Sequence, residues 1–149
     1  MMVVQQAAQY HKKRKLDLLV DIIIDNPYET KQDIIQTYRF LIDLPFHVKI
    51  NLFFLAFFPG TPIYDRALAD GIINPYNEKA FRFYTRASIR YQGNYETFLI
   101  LLLRHLRRRF PMIKYFPKVF LRGLGSYPLR IIASIFSGSI YAFLCKLVQ

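Results

Sequence analysis

The chain has 149 residues, of which 53% are hydrophobic and 17% aromatic. So large an apolar fraction excludes an intrinsically disordered chain, because this surface must be buried or it aggregates. The formal net charge of +11 favours an acidic partner, such as nucleic acid, an anionic membrane or a phosphorylated substrate. A basic face on an otherwise ordinary protein accounts for the charge equally well.

The single cysteine, Cys145, lies in an apolar stretch. One thiol cannot form a disulfide within the chain or hold a metal cluster, so a buried, unreactive side chain is expected. The basic cluster at 12–15 precedes an apolar run in the manner of a signal peptide. However, Asp17, Asp21 and Asp25 interrupt this run, so secretion is not expected. A cytoplasmic chain is predicted, with peripheral attachment to a membrane as the alternative.

The first half of the sequence predicts a strand, a helix and a second strand. Residues 16–24 are short and apolar, which is typical of a strand buried on both faces. A helix is expected to begin at Thr30, whose hydroxyl pairs with Asp33 in a capping box. Residues 48–57 form the second strand. Short connections of this kind favour a parallel pair joined by a right-handed crossover.

One apolar face is predicted for the helix that follows Thr30, because its hydrophobic residues recur at helical spacing. They are Ile34, Ile35, Tyr38, Leu41 and Ile42.

A second helix follows the second strand. Thr61 is placed to cap it with Pro62 at its first position, and Gly71 is placed to end it in a left-handed conformation. A domain boundary is predicted near residues 73 and 74.

The remainder of the chain is predicted to be helical. Residues 78–92 are amphipathic, Asn94 can cap a helix that runs to residue 110, and Ser126 precedes a last helix. The apolar run 131–145 is interrupted by Ser and Gly and is shorter than the roughly 20 residues that a spanning helix needs. It is therefore predicted to dock on the protein or lie at a membrane surface.

Two motifs in the first half resemble a known family. Residues 21–30 read DIIIDNPYET and residues 57–64 read FFPGTPIY. Together they resemble radical S-adenosylmethionine (SAM) enzymes, and most of all the group with an N-terminal cobalamin-binding domain. In that group a strand of the form D-x-I-x-G/D-x-P-x-E-T leads into a helix, and a later strand ends in P-G-T-P-x-Y. The likeness covers residues 16–73 well and the helical remainder loosely.

The resemblance implies an α/β fold. Residues 1–73 would be the C-terminal part of a partial (β/α) TIM-like barrel with the order β-α-β-α, and residues 74–149 would form an α-helical tail.

The resemblance also implies cofactor-binding residues. Asp21 matches a strand position that in some members hydrogen-bonds the ribose hydroxyls of SAM. Asp25 and Asn26 would lie at the mouth of the barrel, near the nucleoside or the substrate. Phe54 and Ala56 would border the adenine pocket, although packing is the role that their residue types favour. Taken without the resemblance, Asp25 and Asn26 are typical of residues that cap a turn.

The sequence departs from the family in several places. Asp25 and Tyr28 stand where glycine is common. The C-x3-C-x2-C motif that holds the family's [4Fe–4S] cluster is absent, and cluster irons need thiolate ligands. Neither a SAM-carboxylate glycine motif nor a cobalamin-binding domain is present, so no catalytic or metal-binding residue is predicted.

The resulting expectation is a fragment of a radical SAM enzyme that carries out methylation or rearrangement. It would be inactive unless the N-terminal portion, with the cluster and the cobalamin domain, is supplied as a partner.

Two alternatives without catalysis remain. A basic RNA-binding or interaction module would explain the net charge, although the aromatic residues do not lie beside the basic ones. A peripheral membrane protein would place the basic residues 104–109 and the apolar run 131–145 against an anionic surface.

Overall fold

The computed structural model describes residues 6–7, 18–73, 94–110, 115–136 and 138–147. These residues form a mixed α/β structure with a two-stranded parallel sheet and six helices, and most of them are helical. The elements in chain order are β1 (Leu19–Ile24), α1 (Lys31–Asp43), β2 (Lys49–Phe54), α2 (Pro62–Ala69), α3 (Tyr95–Arg109), α4 (Lys118–Leu124), α5 (Tyr127–Ser134) and α6 (Gly138–Leu147). The helix predicted over 78–92 lies outside the described residues.

The two strands pair in parallel, as the short connections predicted. The register places Asp21 opposite Asn51 and Ile24 opposite Phe54. One face of the sheet, which carries Val20 and Ile22, packs against the core beneath α1.

The prediction that the first strand is buried on both faces is wrong. Its residues alternate between exposed and covered positions, and Leu19 and Ile23 are 48% and 57% exposed. Phe53 on β2 is 50% exposed on the same face. Among the described elements, helices cover only the opposite face, so these apolar residues and Asp21 lie on an uncovered sheet surface.

Local capping sets the helix ends where the sequence predicted them. The Thr30 hydroxyl accepts a hydrogen bond from the Asp33 amide at 3.2 Å, and the Asp33 carboxylate accepts from the Thr30 amide at 2.9 Å. Thr61 caps α2, and Asn94 caps α3 through a 2.7 Å bond from the Thr97 amide. Gly71 follows α2 with φ +68°, a conformation that costs glycine little.

The core joins the strand–helix–strand unit to the C-terminal helices. Helix α1 packs against α3, and its buried residues match the predicted apolar face except that Ile34 is only half-buried. One core cluster includes residues from both sides of the predicted boundary at 73. The placement of a domain boundary there stays a prediction.

Arg107 on α3 forms hydrogen bonds both with the end of α1 and with the loop that leads into β2. Its guanidinium donates to the carbonyl oxygens of Leu41, Leu44, Pro45 and Val48, at distances from 2.7 to 3.3 Å. Burial lowers its pKa to about 10, so the group remains charged at neutral pH. Helix α1 has no basic residue in its last turn, and Arg107 supplies the missing donor and positive charge from a neighbouring helix.

The apolar run 131–145 divides into two helices. Helices α5 and α6 meet at 109°. Within the described residues, no single helix is long and apolar enough to cross a membrane, although this bent pair passes the same criterion of length and composition jointly.

Candidate functional site

The uncovered face of the sheet carries a polar pair at its centre. Asp21 on β1 and Asn51 on β2 are partners in the register, so their side chains leave the sheet on the same side. Asp21 is exposed, and within the described part of the chain it has no hydrogen bond or ion pair. The carboxylate therefore lies on a surface and is not buried in an apolar strand.

Apolar side chains surround this pair on the same face. Leu19 and Ile23 flank Asp21 along β1, while Phe53 follows Asn51 along β2. A shallow groove of about 500 Å³ continues from Asp21 along the outer edge of β1, where Gln36, Thr37 and Phe40 of α1 also line it. A carboxylate between apolar patches, beside an amide, can accept hydrogen bonds from a ligand whose rings contact the flanking residues.

Asp25 directly follows β1 in a left-handed conformation with φ +64°. It is the one residue other than glycine with positive φ among the described residues, and this region is unfavourable for most side chains. The structure thus gives a backbone reason for the glycine that the resembled family commonly has here, since glycine adopts positive φ at little cost.

Asn26 stabilises the turn after β1. Its side-chain oxygen accepts from the Tyr28 amide at 3.1 Å, and its carbonyl oxygen accepts from the Glu29 amide at 3.1 Å. These bonds match the turn-capping role that its residue type favours.

Tyr28 joins this turn to α2. Its hydroxyl donates to the Asp70 carboxylate at 3.0 Å, and the Arg66 guanidinium lies 4.2 Å from the centre of its ring. The pKa of Tyr28 is raised above its usual value, mainly by burial of the hydroxyl. A glycine at this position would lack both contacts.

The carboxyl end of β1 is closely packed against the C-terminal helices. The cavity beside Asp25, Glu29 and Thr97 measures about 10 Å³, which is room for about one water molecule. Cys145 on α6 is fully buried, and burial together with the Asp25 charge raises the pKa of its thiol to about 11. The expected buried thiol is confirmed, and no nucleoside fits into this cavity.

A buried ion pair holds α5 against the start of α3 near this end. Arg130 Nε lies 3.1 Å from Glu96 Oε1, and the two side chains are 16% and 5% exposed. Arg130 also donates to the Gln32 side chain at 3.3 Å. The pair connects α1, α3 and α5, and no sequence spacing indicated it.

Phe54 and Ala56 do not lie beside Asp21. Phe54 is opposite Ile24 in the register and packs against the core, on the face that α1 covers. Ala56 follows the end of β2 and is half-buried. The five predicted positions are thus separated: Asp21 lies on the uncovered face, Asp25 and Asn26 lie in the turn after β1, Phe54 belongs to the core, and Ala56 lies beyond the end of β2.

Asn51 is the site residue that the sequence interpretation missed. It is the polar residue at the middle of an apolar second strand, as Asp21 is in the first. Aligning the two strands as parallel neighbours would have paired these two positions.

A second groove, of about 490 Å³, lies between β2 and the C-terminal end of α3. It is lined by Lys49, Arg104, Arg107 and Arg108 together with Asn51 and apolar residues. Arg107 already binds four backbone carbonyls, and the buried Arg104 Nε has no hydrogen-bond partner in the described structure. This positive charge is close to the uncovered face of the sheet, called the open face below, because Asn51 of that face also lines the groove.

Comparisons with known proteins found no family model, no curated protein and no solved structure that matches this chain.

Proposed function

We propose that this chain is part of a radical SAM enzyme and that the open face of its sheet contributes to binding the SAM nucleoside. The observation that carries the proposal is the exposed Asp21 carboxylate, paired in register with Asn51 on an uncovered face. The motifs at 21–30 and 57–64 supply the family, and the β-α-β-α order is compatible with a segment of a TIM-like barrel.

The chemistry of the pair suits a ribose. A carboxylate accepts hydrogen bonds from two neighbouring hydroxyls, and an amide both donates and accepts. Ile23 and Phe53 offer apolar surface on either side, at 57% and 50% exposed, against which a nucleoside can pack. Asp21 and Asn51 thus hold and orient the ligand and are not placed to transfer protons.

The remaining parts of the reaction would have to come from elsewhere. In the family, a reduced [4Fe–4S] cluster cleaves SAM to start radical chemistry. Among the residues described here, no group of His, Cys, Asp and Glu could hold a metal ion, and the sequence has one cysteine. These residues do not fit the cluster. The partner required by the proposal is the portion that carries the cluster and cobalamin.

Nucleoside binding to the purified chain tests the role of Asp21. Adenosine and SAM should bind with an affinity near millimolar, measured by saturation-transfer NMR, because only part of a site is present. Adenosine whose two ribose hydroxyls are blocked as a cyclic ketal should bind at least tenfold more weakly, since it cannot donate to the carboxylate.

The matched variants are Asp21→Asn and Asp65→Asn. Both replace an exposed carboxylate, but Asp65 lies on α2 and not on either strand of the sheet. The first should weaken adenosine binding about tenfold or more and the second should leave it unchanged. Equal binding by both variants, or equal binding of blocked and unblocked adenosine, would show that Asp21 does not contact a ribose.

A further inference from the structure

The C-terminal helices leave many large apolar side chains exposed to solvent. Helix α6 buries Tyr141 and Cys145, while Ile140, Phe143 and Leu147 are 45%, 62% and 62% exposed. The three exposed residues recur at spacings of three and four, so they form a stripe along one side of the helix.

Helices α4 and α5 also leave large apolar side chains exposed. Helix α5 buries only Ala133, and Ile131, Ile132 and Ile135 at its end are exposed, Ile135 at 79%. On α4 Leu121 faces the core while Val119 and Phe120 are exposed. We call these exposed side chains of α4, α5 and α6 together the apolar surface; its members are Val119, Phe120, Ile131, Ile132, Ile135, Ile140, Phe143 and Leu147.

Charge is distributed very unevenly along the chain. All ten Asp and Glu residues occur at or before Glu96, whereas nine of the 21 Lys and Arg residues follow it. The segment after Glu96, which carries the apolar surface, therefore has positively charged side chains and no negatively charged ones. Several of these cations also serve the fold, since Arg122 and Lys118 pair with Asp43 and Arg130 with Glu96.

Other cations of this segment face solvent. Arg108 and Arg109 at the end of α3 and Lys146 near the end of α6 are exposed. Because no acidic residue of the segment opposes them, they give it a field that attracts anions.

We propose that the apolar surface docks on an anionic lipid membrane, with α5 and α6 lying in the interface. Each of these helices alone, at 8 and 10 residues, is too short to cross a hydrocarbon core, which needs about 20 residues, and the 109° bend between them keeps the pair from forming one straight span. Short amphipathic helices instead insert their apolar side at the level of the headgroups. Cations such as Lys146, which lies on α6 between Phe143 and Leu147, pair with lipid phosphates. This surface is separate from Asp21 and Asn51, so membrane binding does not depend on the function proposed above.

Vesicle flotation with the purified full chain tests the proposal. The protein should float with vesicles of phosphatidylcholine containing about one third phosphatidylglycerol and remain below with phosphatidylcholine alone. About 0.5 M salt should reduce the bound fraction, since it screens exposed charges. Failure to float with the anionic vesicles, or equal flotation with both compositions, would overturn the proposal.

The apolar contribution is tested by Ile135→Ser with Phe143→Ser. The matched control is Ile23→Ser with Phe53→Ser, which removes the same residue types from the open face of the sheet at 57% and 50% exposure. The first pair should lower the partition coefficient more than tenfold, and the control should not change it. Circular dichroism establishes that each variant is folded. Loss of flotation only in the control pair would place the membrane contact on the sheet and refute this assignment.

The cationic contribution is tested by Lys146→Gln on α6, against Lys49→Gln on β2 as the control. Both side chains are exposed. The lost cation near the apolar surface should cost about fivefold in partitioning, and the control should not change it. Binding of single-stranded RNA without flotation would overturn the proposal in favour of a nucleic-acid partner. Self-association that the Ile135 and Phe143 changes abolish, without flotation, would assign the surface to a second copy.

Discussion

The contact that we expect to matter most for stability is the one between Arg107 and four backbone carbonyls. Three of these carbonyls belong to Leu41, Leu44 and Val48, which are at most 2% exposed. Replacing Arg107 with Met keeps an unbranched side chain but removes every donor. The carbonyls at the end of α1 then lose their partner in a region that water reaches poorly.

The magnitude follows from the number of bonds. Four hydrogen bonds at about 1 kcal/mol net each suggest a loss of about 4 kcal/mol. Removing a largely buried charge returns part of its desolvation cost, so we expect Arg107→Met to lower the free energy of unfolding by about 3 kcal/mol. For a chain of this size that corresponds to a fall in Tm of about 10 °C.

Urea unfolding followed by circular dichroism at the helix band measures this loss, since the chain has no Trp for fluorescence. Arg108→Met is the matched control, because the neighbouring side chain is exposed and should change stability by less than about 0.5 kcal/mol. Arg107→Lys should retain part of the stability, since one ammonium cannot reach all four oxygens. If Arg107→Met and Arg108→Met unfold at the same urea concentration, the carbonyls do not depend on Arg107 and the reasoning fails.

Two further predictions concern the buried ion pair of Glu96 and the conformation of two glycines. Glu96→Gln should destabilise the chain by about 3 kcal/mol, because it leaves the Arg130 charge largely buried without its partner; a midpoint in urea equal to that of the parent would contradict this. Gly71→Ala should cost about 1 kcal/mol, because its φ is +68°. In contrast, Gly123→Ala in α4, where a Cβ meets nothing within 4 Å, should stabilise the chain by about 0.5 kcal/mol. Shifts of the same sign in thermal unfolding would refute the conformational argument.

The sequence by itself determined the elements whose signals are local. Thr30 with Asp33, Thr61 with Pro62, Gly71 and Asn94 set helix ends because each makes its bond within four residues along the chain. The spacing of Ile35, Tyr38, Leu41 and Ile42 likewise identified the buried face of α1. The parallel pairing followed from connection length and the handedness of crossovers.

Only the tertiary structure decided how these elements expose or cover one another. An apolar strand has the same sequence whether one face is covered or two, so the exposure of Asp21 depends on where the helices pack. The pairing of Asp21 with Asn51 needed the register, and the contacts of Arg107 and of Glu96 with Arg130 join residues 34 to 66 positions apart. The break between α5 and α6 falls at Ser and Gly residues that interrupt the apolar run, but the angle of 109° between the two helices has no local signal. Packing and charge in three dimensions select such long-range contacts, and local sequence patterns carry no information about them.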